Sequence, residues 1–305
     1  MTGFLIRRLI QSLITLMVLV VVIFILARAA GDPISMLVGV EASQETIDRV
    51  RRDLGLDKPY VTQFGYYVKS LGQGDLGTSM RNQKPVGQLL RERIGNSAKL
   101  ALVSMLFSGL LAVPLGVMAA VKRGGIVDSL VQMVAALGQA VPQFWLGLIF
   151  INIFAVRLHW VGVGGIQDWR SYILPAITLG TFLIAAVIRL LRSSMLEVLD
   201  SEFVKMARIK GVTEPRVVWI HALRNGLLPV FTFAAVYFAL LITAAVVTET
   251  IFNWPGVGRA VFEAIRWRDF PVIQGVVLFA AVIVVAVNLL VDVLYAYIDP
   301  RIRYQ

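Results

Sequence analysis

The chain has 305 residues, 58% of them hydrophobic and only 16% charged, and its mean hydropathy of +0.77 lies far outside the range of soluble domains. A net charge of +10 would point to nucleic acid in a soluble protein, but much of the basic excess here sits in short loops between apolar runs, where it sets membrane orientation instead. Cysteine is absent, which excludes disulfides, thiolate metal sites and a cysteine nucleophile.

Arg7 and Arg8 precede an apolar run over residues 9–30 that is long enough for a first membrane helix. A cleavable signal peptide, suggested by Ala27-Arg28-Ala29, competes with an uncleaved anchor, and the length of the run favours the anchor. Residues 31–97 are polar and punctuated by glycine, and they read as a small extramembrane domain of three helices. Ser43 opens the first, with Ile47, Val50 and Leu54 on one face and Gly55 closing it. The second starts at Pro59, carries Tyr60, Phe64, Tyr67, Val68 and Leu71 as its stripe, and stops at Gly72. After a glycine-rich loop over 72–79, Pro85 begins the third, with Val86, Leu89, Leu90 and Ile94 facing one way and Gly95 ending it.

Five further apolar runs, at 100–121, 130–156, 173–191, 227–247 and 272–298, each reach across about 30 Å of hydrocarbon. Their glycines and prolines suit helices packed closely on other helices. Residues 199–229 are the longest charged segment among them and read as a helical hairpin. Ser201 stands as N-cap, Glu202 lies in the first turn, and Gly211 falls where a left-handed residue ends a helix, which predicts a helix over 202–210. Thr213 caps a second, with Glu214 and Pro215 in its first turn and Val217, Val218, Ile220, Leu223 and Leu227 recurring until Pro229. Ala207 and Gly211, small and four apart, offer a face that enters a partner's groove, ringed by Lys205, Arg208 and Lys210. An amphipathic pair lying on the membrane surface is the plain alternative. The spacing of Ala207, Gly211 and Val217 also fits a DNA-binding helix-turn-helix, but spans flanking it closely on both sides keep such a loop out of a major groove.

With a cytoplasmic N-terminus, thirteen basic residues fall inside, among them Lys122, Arg123, Arg189, Arg192, Arg301 and Arg303, against five in the short outside loops. Both termini and the hairpin are therefore expected in the cytoplasm and residues 31–97 outside, with Trp160, Trp169, Trp254 and Trp267 as anchors at the outer interface. No lysine follows a glycine, so the phosphate-cradling loop of ATP-binding proteins is missing. Ser104 and Ser108 lie one turn apart within a span that contains no histidine, which favours helix packing over an intramembrane protease. Asn288 and Asp292 share a face of the last span. They make either a polar contact in a pathway or subunit interface, with Arg189 and Arg192 as the nearest partners in this chain, or a local cap near the helix end. Glu249, Phe252, Trp254, Pro255, Gly256 and Gly258 form a turn-rich stretch that reads either as a re-entrant segment or as a tight loop.

These residues resemble one family over nearly the whole chain: the permease subunits of bacterial ATP-binding-cassette importers, in the dipeptide/oligopeptide/nickel branch and its B-type subunit. Ala207, Gly211, His221-Ala222-Leu223-Arg224-Asn225 and Leu228-Pro229 are similar to that branch's cytoplasmic coupling loop. Further matches are Gly31-Asp32-Pro33, Gly74 to Ser79, Pro114-Leu115-Gly116, Phe144-Trp145-Leu146-Gly147, Glu249 with Phe252 and Pro255 to Gly258, and Asp299-Pro300-Arg301. Lys205 and Met206 stand where the general importer loop has Glu and Ala, as in the peptide branch.

The resemblance implies an all-α integral membrane protein with six transmembrane helices and the type I importer permease fold. Residues 1–30 would form the N-terminal end and first span, 31–97 a periplasmic helical domain, and 98–305 a permease core carrying the coupling loop at 199–229. It implies no catalysis and no cofactor on this chain, ATP and Mg being bound by partner ATPases. The partners would be a second permease, two cytoplasmic ATP-binding subunits, an extracytoplasmic solute-binding protein and membrane lipids, with no nucleic acid, all at the bacterial inner membrane. Glu202, Lys205, Ala207, Arg208, Lys210, Gly211 and Glu214 would couple to the ATPases, and Glu249, Phe252, Trp254, Asn288 and Asp292 would line a pathway or subunit interface. Di- or oligopeptides are the implied cargo, with nickel, glutathione or another small solute as alternatives. A passive channel fits less well because of the hairpin. Since the chain has no cysteine of its own, a cysteine placed in the 72–79 loop tests the orientation: it labels with an impermeant reagent in intact cells, whereas labelling only after lysis inverts the topology.

Overall fold

The computed structural model describes residues 2–29, 43–53 and 55–298. The Gly31-Asp32-Pro33 and Asp299-Pro300-Arg301 motifs, Leu54, and the side chain of Asp292 lie outside the described residues. The described residues are helical throughout apart from turns and a single bridge between Thr78 and Pro85. Among the described residues, four helical stretches are long and apolar enough to cross a membrane unbroken, and the number rises to six if each of two bent pairs is one span.

The chain divides into two compact units, Met1–Gly95 with Gly256–Gln305, and Asn96–Pro255. Of residues 31–97, those described up to Gly95 fall in the first unit, and Asn96 and Ser97 in the second.

In the first unit, α1 (Thr2–Ala29) packs along α14 (Phe270–Ile298). α2 (Gln44–Asp53) and α3 (Tyr60–Gly72) follow as expected, Gly55 ending the first with φ +64°. Phe24 of α1 meets Phe64 edge-on at 5.3 Å and stacks on Tyr67 at 5.9 Å, which seats α3 on the first span. Val86 and Leu90 open α4 (Val86–Val121) and close a cluster with Val257 and Ala264 of α13 (Val257–Arg266) and Val272 and Val276 of α14. The sequence reading ends a helix at Gly95 and begins another at Leu100. The structure runs one 36-residue helix through both, about 54 Å long at 1.5 Å per residue. A glycine inside a helix costs only about 1 kcal/mol, which packing of Val86, Leu90 and Leu100 on either side of Gly95 outweighs. Helix α13 also escaped the sequence reading, which left 248–271 as a connection.

An acidic anchor holds this unit's loop. Asp269, buried just before α14, accepts hydrogen bonds from Ser79 Oγ at 2.5 Å and from the backbone N–H groups of Met80 and Arg81 at 3.1 and 3.3 Å. The Arg81 guanidinium then lies over the Trp267 ring, 4.2 Å from its centroid.

The second unit is built on α7 (Ile173–Leu199), whose membrane window is 56% buried against 17% in each of α1 and α14. Leu183, Ile188, Leu191 and Met195 of α7 form a core with Val117, Ala119 and Ala120 of α4 and with Val131 and Ala135 of α5 (Ile126–Ala140). The apolar run at 130–156 is not one straight span. It breaks at Pro142 into α5 and α6 (Gln143–Phe150), the latter continuing as a π-turn over Ile151–Arg157, and the two arms meet at 96°. Proline lacks the N–H an interior position needs and pushes Val141 into extended backbone, φ −77° and ψ 124°. Ser104 and Ser108 spend their hydroxyls on the carbonyls of Leu100 and Gly180, consistent with packing and not with chemistry. Trp160, Trp169 and Trp267 are exposed, but Trp254 is fully buried and so is no interfacial anchor.

A Cβ on Gly275 of α14 would stand 2.5 Å from Val86 Cγ1 and 3.7 Å from Leu76 Cδ1. Gly275→Leu is expected to destabilise the first unit by about 1–3 kcal/mol through overpacking, lowering the unfolding midpoint of the purified chain in detergent. Val277→Leu, at a half-exposed position of the same helix, should leave that midpoint in place.

Candidate functional site

The hairpin predicted at 199–229 is present, with its legs fixed differently from expectation. α8 (Glu202–Ile209) begins at Ser201 in extended backbone, φ −71° and ψ 154°. The Ser201 hydroxyl does not cap it, because it donates instead to the Val198 carbonyl at the end of α7. Thr213 likewise stands at the N-cap position of the next leg without a side-chain cap.

The turn between the legs is a Schellman closure. Gly211 sits at φ +79°, its N–H donates to Arg208 O, and Val212 N–H reaches back to Ala207 O at 3.2 Å. Nothing lies within 4 Å of a Cβ built on Gly211. The glycine is there for its backbone angle, and no close-packed neighbour within the chain requires it. Arg208 grips Glu214 across the turn with two hydrogen bonds of 3.1 and 2.7 Å, and Lys205 meets Glu202 at 2.8 Å. Those carboxylates raise Arg208 and Lys205 above their ordinary values, so both stay charged at any physiological pH.

The second leg starts with α9 (Glu214–Arg216), widens into a π-helix over Val217–Ala222, and closes with α10 (Leu223–Gly226) before α11 (Leu228–Ala244), from which it bends by 49°. The extra residue in the wide turn brings Val217, Val218 and Ala222 inward together and leaves Trp219, Ile220 and His221 outside. Val204 of α8 is fully buried in the same core that surrounds α7, and Ala207 and Val212 pack against it.

Ala207, partly buried, packs against the chain's own core, while Gly211 beside it is exposed. The opposite stripe of α8 is the open one: Phe203, Met206 and Ile209 are 48%, 53% and 78% exposed at i, i+3 and i+6, with Glu202, Lys205 and Lys210 beside them. A helix that is apolar on two sides shows both stripes in its sequence, and only its packing tells which is covered.

The second expected group is interior. Glu249, in α12 (Val246–Ile251), is fully buried and accepts a hydrogen bond from Ser97 Oγ at 2.6 Å. The Trp254 ring stands edge-on to Tyr172 at 4.6 Å and donates Nε1–H to Asn96 O, while Asn96 Nδ2 donates to Pro255 O. Phe252 is buried too, its carbonyl accepting from Gly165 N at 2.9 Å. Glu249, Phe252 and Trp254 are thus buried within this chain, packed and hydrogen-bonded among its own residues. Asn288 is exposed on α14. Arg192, expected as a partner for Asp292, is instead gripped by Asp128 through two hydrogen bonds of 2.6 and 2.7 Å, and Arg189 donates to Gln139. Asp128 was missed by the sequence reading, since nothing local marks a contact 64 residues away.

Residues 112–304 match the family model described as the inner membrane component of binding-protein-dependent transport systems, and residues 1–101 match the model of that component's N-terminal part. The chain belongs to this family. Among its relatives, the glutathione transport system permease protein GsiC of Pectobacterium atrosepticum is 40% identical over 306 residues, and the proteins of that name from Escherichia coli and Salmonella typhimurium are 38% and 39% identical, each covering 100% of both chains. An inward-facing structure of the MetNI methionine ABC transporter superposes with a TM-score of 0.57 at 17% identity, covering 70% of this chain and 97% of that one, which shows a shared fold. This permease is thus a multi-pass inner-membrane subunit of an ABC importer, a transport component and not an enzyme.

The left-handed backbone at Gly211 yields a direct test. Gly211→Ala should cost roughly 1–2 kcal/mol and speed hydrogen exchange of the α8 and turn amides about five- to thirtyfold, while Gly211→Asn, which tolerates that region better, should speed it less.

Proposed function

We propose that this permease forms the pathway of an importer for short peptides, with glutathione, itself a tripeptide, as its leading cargo. The support is the full-length similarity to permeases named for glutathione transport. Uptake of labelled glutathione by cells expressing the whole transport system, lost when this chain is deleted, tests the cargo. Uptake of dipeptides but not glutathione would move the reading to the wider peptide class.

In this reading the permease pairs with a second, similar permease, and two ATPases on the cytoplasmic side drive the pair while a solute-binding protein delivers cargo from outside. ATP and Mg bind the ATPases. Both termini and the hairpin lie in the cytoplasm, as the distribution of basic residues supports. The exposed stripe of Phe203, Met206 and Ile209 on α8 is the observation that carries the coupling role, because a row of large apolar side chains ringed by charge is what a helix offers a groove. Glu202, Lys205, Lys210 and Gly211 lie at the rim of that contact. Arg208 and Glu214 hold the turn in shape behind it.

Replacing Phe203, Met206 and Ile209 together with serine should leave membrane insertion and thermal stability near the parent's, since none of the three packs in the core. Recovery of the ATPases with the tagged permease should fall by about tenfold or more, the scale of losing anchor side chains from an interface. ATPase recovery equal to the parent's would reject α8 as the docking helix.

A further inference from the structure

Asp128 and Arg192 do more than fill a polar gap. Asp128 lies in the first turn of α5, with its side chain 7% exposed, and Arg192 lies near the cytoplasmic end of α7, with its side chain 23% exposed. Arg192 Nε and Nη2 meet the two carboxylate oxygens at 2.6 and 2.7 Å, and one of those oxygens also accepts the Gly124 N–H at 3.0 Å. The carboxylate thus holds a guanidinium fork and the backbone of the α4–α5 turn at once. Gly124 stands at φ +74°, the backbone that aims its N–H there.

Along the rest of the α5–α7 contact the one other polar link among the described residues is an exposed hydrogen bond from Arg189 to Gln139, and the packed surfaces are small. Gly138 lies against Thr181 and Ala185, and Val131 and Ala135 pack into the α7 core. Small apolar surfaces of this kind let packed helices slide over one another, which is the shear class of transition. A bidentate ion pair at one end permits one register only.

The same end of α7 leads directly into the hairpin: Ser201 bonds back to Val198, and Val204, Val217 and Ala222 share a core with Leu191 and Met195. We infer that the Asp128–Arg192 pair is the fastening that makes α5 travel with α7 and the hairpin, so that force delivered to α8 reaches the bent α5–α6 pair. These are positioning residues for transport, and the inference rests on the hairpin being the part the ATPases move.

The test uses the assembled transporter in proteoliposomes, and every quantity is taken per assembled complex. Spin labels on cysteines at the exposed positions Ile126 and Ile220 report the distance from α5 to the hairpin. In the parent background that distance should be single and unchanged by ATP. With Asp128→Asn or Arg192→Lys, ATP should broaden it or add a second population. In the same variants without labels, glutathione uptake per ATP hydrolysed should drop about tenfold while hydrolysis persists, and the reversed pair, Asp128→Arg with Arg192→Asp, should recover part of the ratio. A distance distribution like the parent's under ATP, or an unchanged uptake-to-hydrolysis ratio, overturns the proposal. So does failure of both single variants to assemble, which would make the pair a requirement of folding. Loss of the ATPases from the preparation reports on the hairpin face instead, and the distance readout is independent of which cargo the system takes.

Discussion

Lipid tails are as apolar as leucine, so helices in a bilayer gain little by hiding apolar surface from them and associate through close packing and polar contacts. In the second unit that constraint converges on α7. Gly116 of α4 approaches Leu191 so closely that a Cβ would stand 3.2 Å from it, Gly138 of α5 and Gly147 of α6 sit against Thr181 and Thr178, and Gly226 of the hairpin rests on Met195. On its own side α7 contributes Gly180, which receives the Ser108 hydroxyl. Four segments thus reach one helix by bringing a glycine to it. The buried core of the unit and the seat of the hairpin both rest on that arrangement.

The hairpin is where this packing becomes useful. Its buried side, Val204, Val217, Val218 and Ala222, continues the α7 core without interruption, and its open side carries Phe203, Met206 and Ile209. A short helix with eight residues cannot hold itself in water. It is held by the core on one face and by the Gly211 turn and the Arg208–Glu214 grip at its end, so its open side is fixed in place.

What the sequence disclosed follows the reach of each interaction. Gly211 announced its left-handed turn and Gly55 announced another, because backbone sterics act within a residue or two. Gly95 carries the same letter and lies inside a continuous helix, since whether a glycine ends a helix depends on what packs on either side. Pro142 breaks its run while Pro114 stays within α4, so a proline in an apolar run does not by itself say whether the run bends. The partners of Asp269 and Glu249 lie 190 and 152 residues away, so no local pattern could mark them, and Trp254 looked like an interfacial anchor until Asn96 and Tyr172 were seen around it. The family, by contrast, was legible from motifs spread along the whole chain.

The two acidic groups of the second unit that meet their partners across long stretches of chain face opposite problems during synthesis. Glu249 leaves the ribosome 152 residues after Ser97, so its hydrogen-bond donor has already been made when α12 follows. Asp128 emerges 64 residues before Arg192 and must wait for it. An unpaired aspartate at the middle of a span costs about 2.5–3.5 kcal/mol on insertion scales. Asp128 avoids that depth by standing in the first turn of α5, two residues after the helix begins and next to Lys122 and Arg123, where water and basic neighbours can shelter it until α7 arrives.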